Sequence, residues 1–238
     1  MLQQPCNVTV SFDSTQQLRR VTLTFNGNNC AGTHARTGTI VVTQPINQRW
    51  SDSGAVLTQS INSLKITRIA DNKSITINGT RSIRNVSGGR IGQLLAGGRN
   101  TIIHAITGNM GLRFDDSTTR QWNVARRRTF TRNGQAIILT VIGDHSAGGL
   151  TGIAEWGTTR FGTPFVSRIA VPLKMSSDCN FRLGEGTIEH TGIGATTTVT
   201  FGLNAQGNPT TCPGAGPYYL KAVWTNNNGI SQTIIRPY

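Results

Sequence analysis

The stretch KSITINGTRSIRNV, from Lys73 to Val86, carries the signal that decides the fold. Polar and apolar residues alternate on both sides of Asn78-Gly79, the period of a strand with one wet face. Asn-Gly tolerates the positive φ that both central residues of a type I′ turn require, so the segment predicts a two-residue hairpin turning at Asn78-Gly79. Three further Asn-Gly pairs, at Asn26-Gly27, Asn133-Gly134 and Asn228-Gly229, predict turns of the same kind.

Working outward, the period stays at two. NVTVSF, RRVTLTF, GTIVVTQ, LKITRI, NTIIHAI, AIILTVIG, TGIAEWG, VSRIAVPL, GTIEHTG, TTTVTFG, YYLKAVW and SQTIIRP all alternate or are rich in Val, Ile, Thr and aromatic residues. With the two arms of the opening stretch they give about fourteen strands. No ten-residue stretch has helical spacing. The expected class is all-β: antiparallel hairpin meanders forming a sandwich or an extended twisted sheet, built from two similar halves. A repeat suggests the halves, since CNVTVSF…VTLTFNGNNC resembles CNFRLGEG…TTTVTFGLNAQGNPTTC. The sections would be 1–110 and 111–238, unless the 238 residues form a single domain. Val86–Asn100 and Gly202–Pro217 are Gly-rich and read as surface loops.

Composition bounds the partners. Lys and Arg number 23 against 10 Asp and Glu, a formal charge of +13, and nearly all the cations are Arg. A guanidinium fork suits carboxylate, sulfate and phosphate, so acidic glycans and other cell-surface components are the expected partners. No run of 18 apolar residues offers a membrane span. The opening MLQQPC has neither a basic nor an apolar signal region, so Met1 is expected at a trimmed or mature start. Cys6, Cys30, Cys179 and Cys212 are an even set without CxxC spacing, which fits two disulfides in an oxidising compartment better than zinc. Three pairings are open. Cys6–Cys30 with Cys179–Cys212 is favoured because each closes a short terminal section.

Several of these pieces resemble a family of secreted or lipid-anchored, β-rich proteins of Bacteroidetes-type bacteria whose function is not established. The likeness lies in VTLTFNGNNCAGTHARTGTIVVT (Val21–Thr43), SITINGTRSIRN (Ser74–Asn85), DDSTTRQWNVARRRTF (Asp115–Phe130), DCNFRLGEGTIEHTG and the strands around Cys212. It implies an extracellular or outer-membrane-surface location and a β-rich fold, and it carries over no site residues. The chain lacks the N-terminal lipobox of the pattern.

The densest charge lies between Arg113 and Arg132. In one unbroken strand Arg120, Trp122, Val124, Arg126, Arg128 and Phe130 would share a face, mixing core and surface types. A bulge near Ala125–Arg127 is therefore expected, turning Trp122 and Phe130 inward and fanning the arginines outward. Arg120, Trp122, Arg126, Arg127, Arg128 and Arg132 are the candidate ligand-binding residues for a polyanion or glycan. Trp50, in the polar turn NQRWSDSG, is the tryptophan expected to be exposed as a stacking platform. Nucleic acid is the less favoured polyanion in an extracellular setting.

Signals for catalysis are thin. Asp144-His145-Ser146 is contiguous, which does not suit a converging triad, and reads as a turn. Glu155, Glu185 and Glu189 are the only glutamates for glycosidase-type chemistry. His34, His104, His145 and His190 show no metal-binding spacing. No catalytic residue, metal or cofactor is assigned. The expected function is a non-enzymatic, adhesin-like interaction or scaffold protein, with a carbohydrate- or polyanion-binding module as the alternative and a glycan-active enzyme as the second. Strand edges offer a route to self-association.

Overall fold

The computed structural model describes residues 6–15, 17–210, 212 and 217–238. These residues form fifteen strands in one antiparallel sheet. In chain order they are β1 (Val8–Ser14), β2 (Leu18–Asn28), β3 (His34–Pro45), β4 (Ala55–Arg68), β5 (Ser74–Asn85), β6 (Thr101–Phe114), β7 (Thr119–Asn133), β8 (Ala136–Gly143), β9 (His145–Ala147), β10 (Leu150–Thr158), β11 (Pro164–Ser176), β12 (Leu183–Gly192), β13 (Ala195–Leu203), β14 (Tyr219–Asn226) and β15 (Ser231–Pro237). The sheet is a meander in which sequence neighbours pair, with β1 and β15 as its two ends. The ladder runs without interruption through residues 110 and 111, which lie inside β6.

One position in the meander is shared. β7 pairs with β8 over Arg126–Asn133 and with β10 over Trp122–Val124, and β11 likewise pairs with both. β8 and β10 therefore lie end to end as one interrupted strand. Between them the chain leaves the ladder as a small hairpin, β9 against the start of β10, closed by Gly148-Gly149.

The Asn78-Gly79 hairpin does not form. Ser74–Asn85 is a single strand, paired with β4 on one side and with β6 on the other in unbroken register from Ile75↔Phe114 to Asn85↔His104. The pair serves a bulge instead. The β4 register shifts between Ile61 and Leu64, so that Asn62 and Ser63 together stand opposite the single residue Asn78. The Asn78 Oδ1 accepts the Ser63 N–H at 2.7 Å, and Gly79 takes φ +146° where β6 presses closest. Asn26-Gly27 also lies within a strand, whereas Asn133-Gly134 and Asn228-Gly229 sit at the β7–β8 and β14–β15 turns.

One short α-helix, α1 (Gly92–Leu95), lies within the Gly-rich segment Val86–Asn100 expected as a surface loop. Its Leu94 is fully buried with Ile102, Phe130 and Ile137. A second cluster gathers Ile61, Leu64, Met110 and Val124 under Phe25, Ile77 and Trp122, and a third joins Val141, Ala154 and Ile169. Each cluster draws on neighbouring strands of the same sheet. The chain exposes 13709 Å², whereas a compact monomer of 25.6 kDa would expose about 10,400 Å². An extended sheet leaves much of its two faces in solvent.

The disulfides are Cys6–Cys30 and Cys179–Cys212, each bracketing one hairpin, β1–β2 and β12–β13. The parallel placement matches the sequence repeat. Closing loops of 24 and 33 residues removes chain entropy from the unfolded state worth about 3–4 kcal/mol per bridge. Two disulfides point to an oxidising, extracytoplasmic environment. No helix among the described residues is long and apolar enough to cross a membrane.

Candidate functional site: an arginine row on the apolar face

β7 is unbroken. Its register with β6 runs from Thr101↔Thr131 to Arg113↔Thr119 without a shift, so the expected bulge near Ala125–Arg127 is absent. What changes at Ala125 is the partner on the other edge, from β10 to β8. Strand alternation then places Arg120, Arg126 and Arg128 on the same face as Trp122, Val124 and Phe130. These arginines do not fan outward. Each is half-buried, while Arg127 and Arg132 are exposed.

The row gains members from strands far off in sequence. Opposite Arg128 stands His104 of β6, and opposite Arg126 stands Ile106. Arg81 of β5 pairs with Gly108, which pairs in turn with Val124, so Arg81 meets no intervening side chain on its way to β7. A Cβ on Gly108 would come within 3.3 Å of the Arg81 stem, which shows that this stem lies over the glycine. Arg81 donates to the Gln59 Oε1 from Nε at 3.0 Å and from Nη2 at 2.7 Å. Arg126 pairs with Glu155 of β10, the carboxylate that faces this row.

Charge is therefore left over. Arg128 makes no hydrogen bond or ion pair with any described residue. Burial lowers its pKa, and Arg81 and then Arg126 lower it further by repulsion. Arg81 is depressed in the same way, by burial first and Arg126 second. Three guanidinium groups with one carboxylate, partly withdrawn from water, form a site whose electrostatics improve when an anion enters.

Aromatic groups flank it. The His104 ring, buried at 7% exposure, lies 5.0 Å from Trp50 and edge-on to Phe130 at 5.3 Å. Trp50 is thus half-buried against His104, not the exposed platform the turn suggested. Trp122 also faces inward, packed on the Met110 cluster, so it fills the core beside the site. Arg120 lies six residues before Arg126, about 20 Å along an extended strand, and covers the Phe165 ring at 4.4 Å. Arg127 pairs with Asp144 at 3.0 Å on the opposite face, and Arg132 donates to the Gly134 and Leu95 carbonyls.

The row thus joins Arg126 and Arg128 of the expected set to Arg81, Gln59, His104 and Glu155, which that set did not include. Glu185 and Glu189 are paired with Lys174 and Arg168, so all three glutamates hold basic partners. Asp144-His145-Ser146 is not a turn: His145 opens β9 and stacks on Trp156, with ring centroids 4.1 Å apart. No group of three or more metal-binding side chains converges among the described residues.

The histidines give a pH dependence. Burial, and secondarily Arg128, lowers the His104 pKa below its usual 6.5. Burial, and secondarily Arg120, lowers that of His190, with Glu155 opposing. The unfolded chain then binds more protons than the folded one in the window below pH 6.5, so stability is complete above it and falls as pH drops through it. Urea midpoints measured from pH 7.5 to 5 are expected to decline, and His104→Phe should flatten part of that decline.

No family model, no curated protein and no solved structure matches this chain.

Proposed function

We propose that this protein is a non-enzymatic, extracytoplasmic binding module, adhesin-like in role, that engages acidic glycans through Arg81, Arg126 and Arg128. The observation that carries this reading is the half-buried Arg128, which holds no hydrogen bond or ion pair with any described residue and is repelled by Arg81 and by Arg126, the member of the row that holds Glu155. A structural arginine is ordinarily paired when half-buried, because an unsatisfied charge removed from water costs stability. A carboxylate or sulfate on a sugar would supply the missing charge, and the neighbouring apolar face suits the ring that bears it. The secreted, β-rich proteins that the sequence resembles fit the same setting.

The test follows from strand alternation. Binding to heparin and alginate should weaken steeply between 50 and 300 mM salt, as screening shortens the range of the arginine charges. Arg126→Ala and Arg128→Ala should each lose about tenfold, in line with the loss of one charge-assisted contact. Arg127→Ala, which alternation sets on the opposite face in an exposed pair with Asp144, and Arg132→Ala, on the same face but exposed and donating to the Gly134 and Leu95 carbonyls, should each lose less than about twofold. Equal losses in all four variants would mean that net charge alone drives retention, and the assignment of this face would fall.

A further inference from the structure

The opposite face of the same strands carries a second, chemically different cleft. Alternation turns Thr80 and Ser82 of β5, Thr107 of β6 and Trp156 of β10 away from the arginine row. Ser82 stands directly across from Thr107, and the hairpin between β8 and β10 rises beside them as a wall. The space enclosed is an open cleft of about 520 Å³. That volume holds one or two sugar rings.

The floor and the wall differ in kind. The Thr80, Ser82 and Thr107 hydroxyls make no hydrogen bond with any described residue, so each is free to donate and accept. Neighbouring floor residues lie about 5 Å apart across strands and about 7 Å apart along one, the scale of one pyranose ring. The wall is aromatic: His145 and Trp156 stack at 15° between planes. Its position is built in, because the Asn109 amide donates to Asn123 at 2.6 Å and the Asn123 amide donates to the Trp156 carbonyl at 3.3 Å.

We infer that this cleft is a binding site for a neutral carbohydrate, whose ring C–H face lies on Trp156 and His145 while its hydroxyls meet Thr80, Ser82 and Thr107. Charge argues against an anion here, since the described residues that line the cleft include the Asp144 carboxylate, already paired with Arg127, and no arginine or lysine. A purely apolar ligand would strand three hydroxyls away from water. A polyhydroxylated ring satisfies floor and wall together. The inference is independent of the arginine row, which occupies the other face.

Saturation-transfer NMR with neutral trisaccharides (maltotriose, cellotriose, xylotriose, mannotriose) and the unlabelled chain of 238 residues tests it. At least one trisaccharide should bind with an affinity unchanged between 50 and 300 mM salt, with saturation strongest on ring C–H protons. Trp156→Ala should weaken it at least tenfold. Thr107→Phe, an exposed strand position where an aromatic side chain is tolerated, should do the same by filling the floor without touching the core. Arg126→Met/Arg128→Met should leave it unchanged. No binding by any neutral trisaccharide at 5 mM, binding that survives both cleft variants, or binding lost with the arginines would each overturn the site.

Discussion

Gly79→Ala is expected to destabilise the protein by about 3 kcal/mol or more, from backbone strain and overpacking together. The glycine sits at φ +146°, and a Cβ there would lie 2.3 Å from the Asn109 carbonyl oxygen and 2.7 Å from the Met110 Cα. Both contacts are with backbone, so no rotamer change can relieve them. Met110 belongs to the buried cluster beneath Trp122, and pushing β6 away from β5 would open that cluster as well. The matched control is Gly134→Ala in the β7–β8 turn, at φ +61° with nothing within 4 Å of the new methyl. Its cost should be only about 1 kcal/mol, that of a left-handed alanine. In thermal unfolding the two should differ by about 4–8 °C for a chain of this size. Equal shifts would mean that Gly79 sits in a tolerant turn after all and that β5 is two strands.

The same residue shows what could be read from the sequence and what could not. All-β class, nearly every strand and both disulfides follow from local pattern, because alternation and cysteine placement are local. The Asn78-Gly79 error came from giving turn chemistry priority over phase. Ile75, Ile77, Gly79, Arg81 and Ile83 keep one parity through the pair. A two-residue hairpin would have set Ile83 on the face opposite Ile75 and Ile77, so the preserved phase was the legible sign of one continuous strand. Nothing local reveals the β4 bulge that Asn78 and Gly79 accommodate, since that is a relation between strands.

The arginine row was half legible for a related reason. Alternation along β7 correctly grouped Arg120, Trp122, Arg126, Arg128 and Phe130, and the grouping was rejected because it mixed charge with core. The mixing is the feature of interest. Arg81 and His104 enter the row only through the β5–β6–β7 register, and Glu155 only because the strand shared by β8 and β10 resumes pairing after its excursion. Trp50 reaches His104 from a loop, which no periodicity records.

Arg128→Met should raise stability while removing anion binding, and this opposition is the sharpest expectation of the proposed role. Methionine keeps the length of the stem that packs beside Val141 and His104. It removes a charge that is half out of water and repelled by Arg81 and Arg126. Replacing partly buried charge by apolar volume is often neutral or stabilising, and solvent screening at this depth limits the gain to about 0.5–1 kcal/mol. The unfolding midpoint should therefore rise by about 1–4 °C. Glu155→Gln should act in the opposite sense, since it leaves Arg126 without its ion pair and concentrates three cations in one place. Sulfate at 50 mM should stabilise the unaltered protein by mass action, more strongly the Glu155 variant, and least of all the Arg128 variant. A structural arginine predicts the reverse order: Arg128→Met would lower the midpoint, and sulfate would act alike on all three proteins. A residue kept at a cost to the fold, whose removal costs only the ligand, is the mark of a binding site.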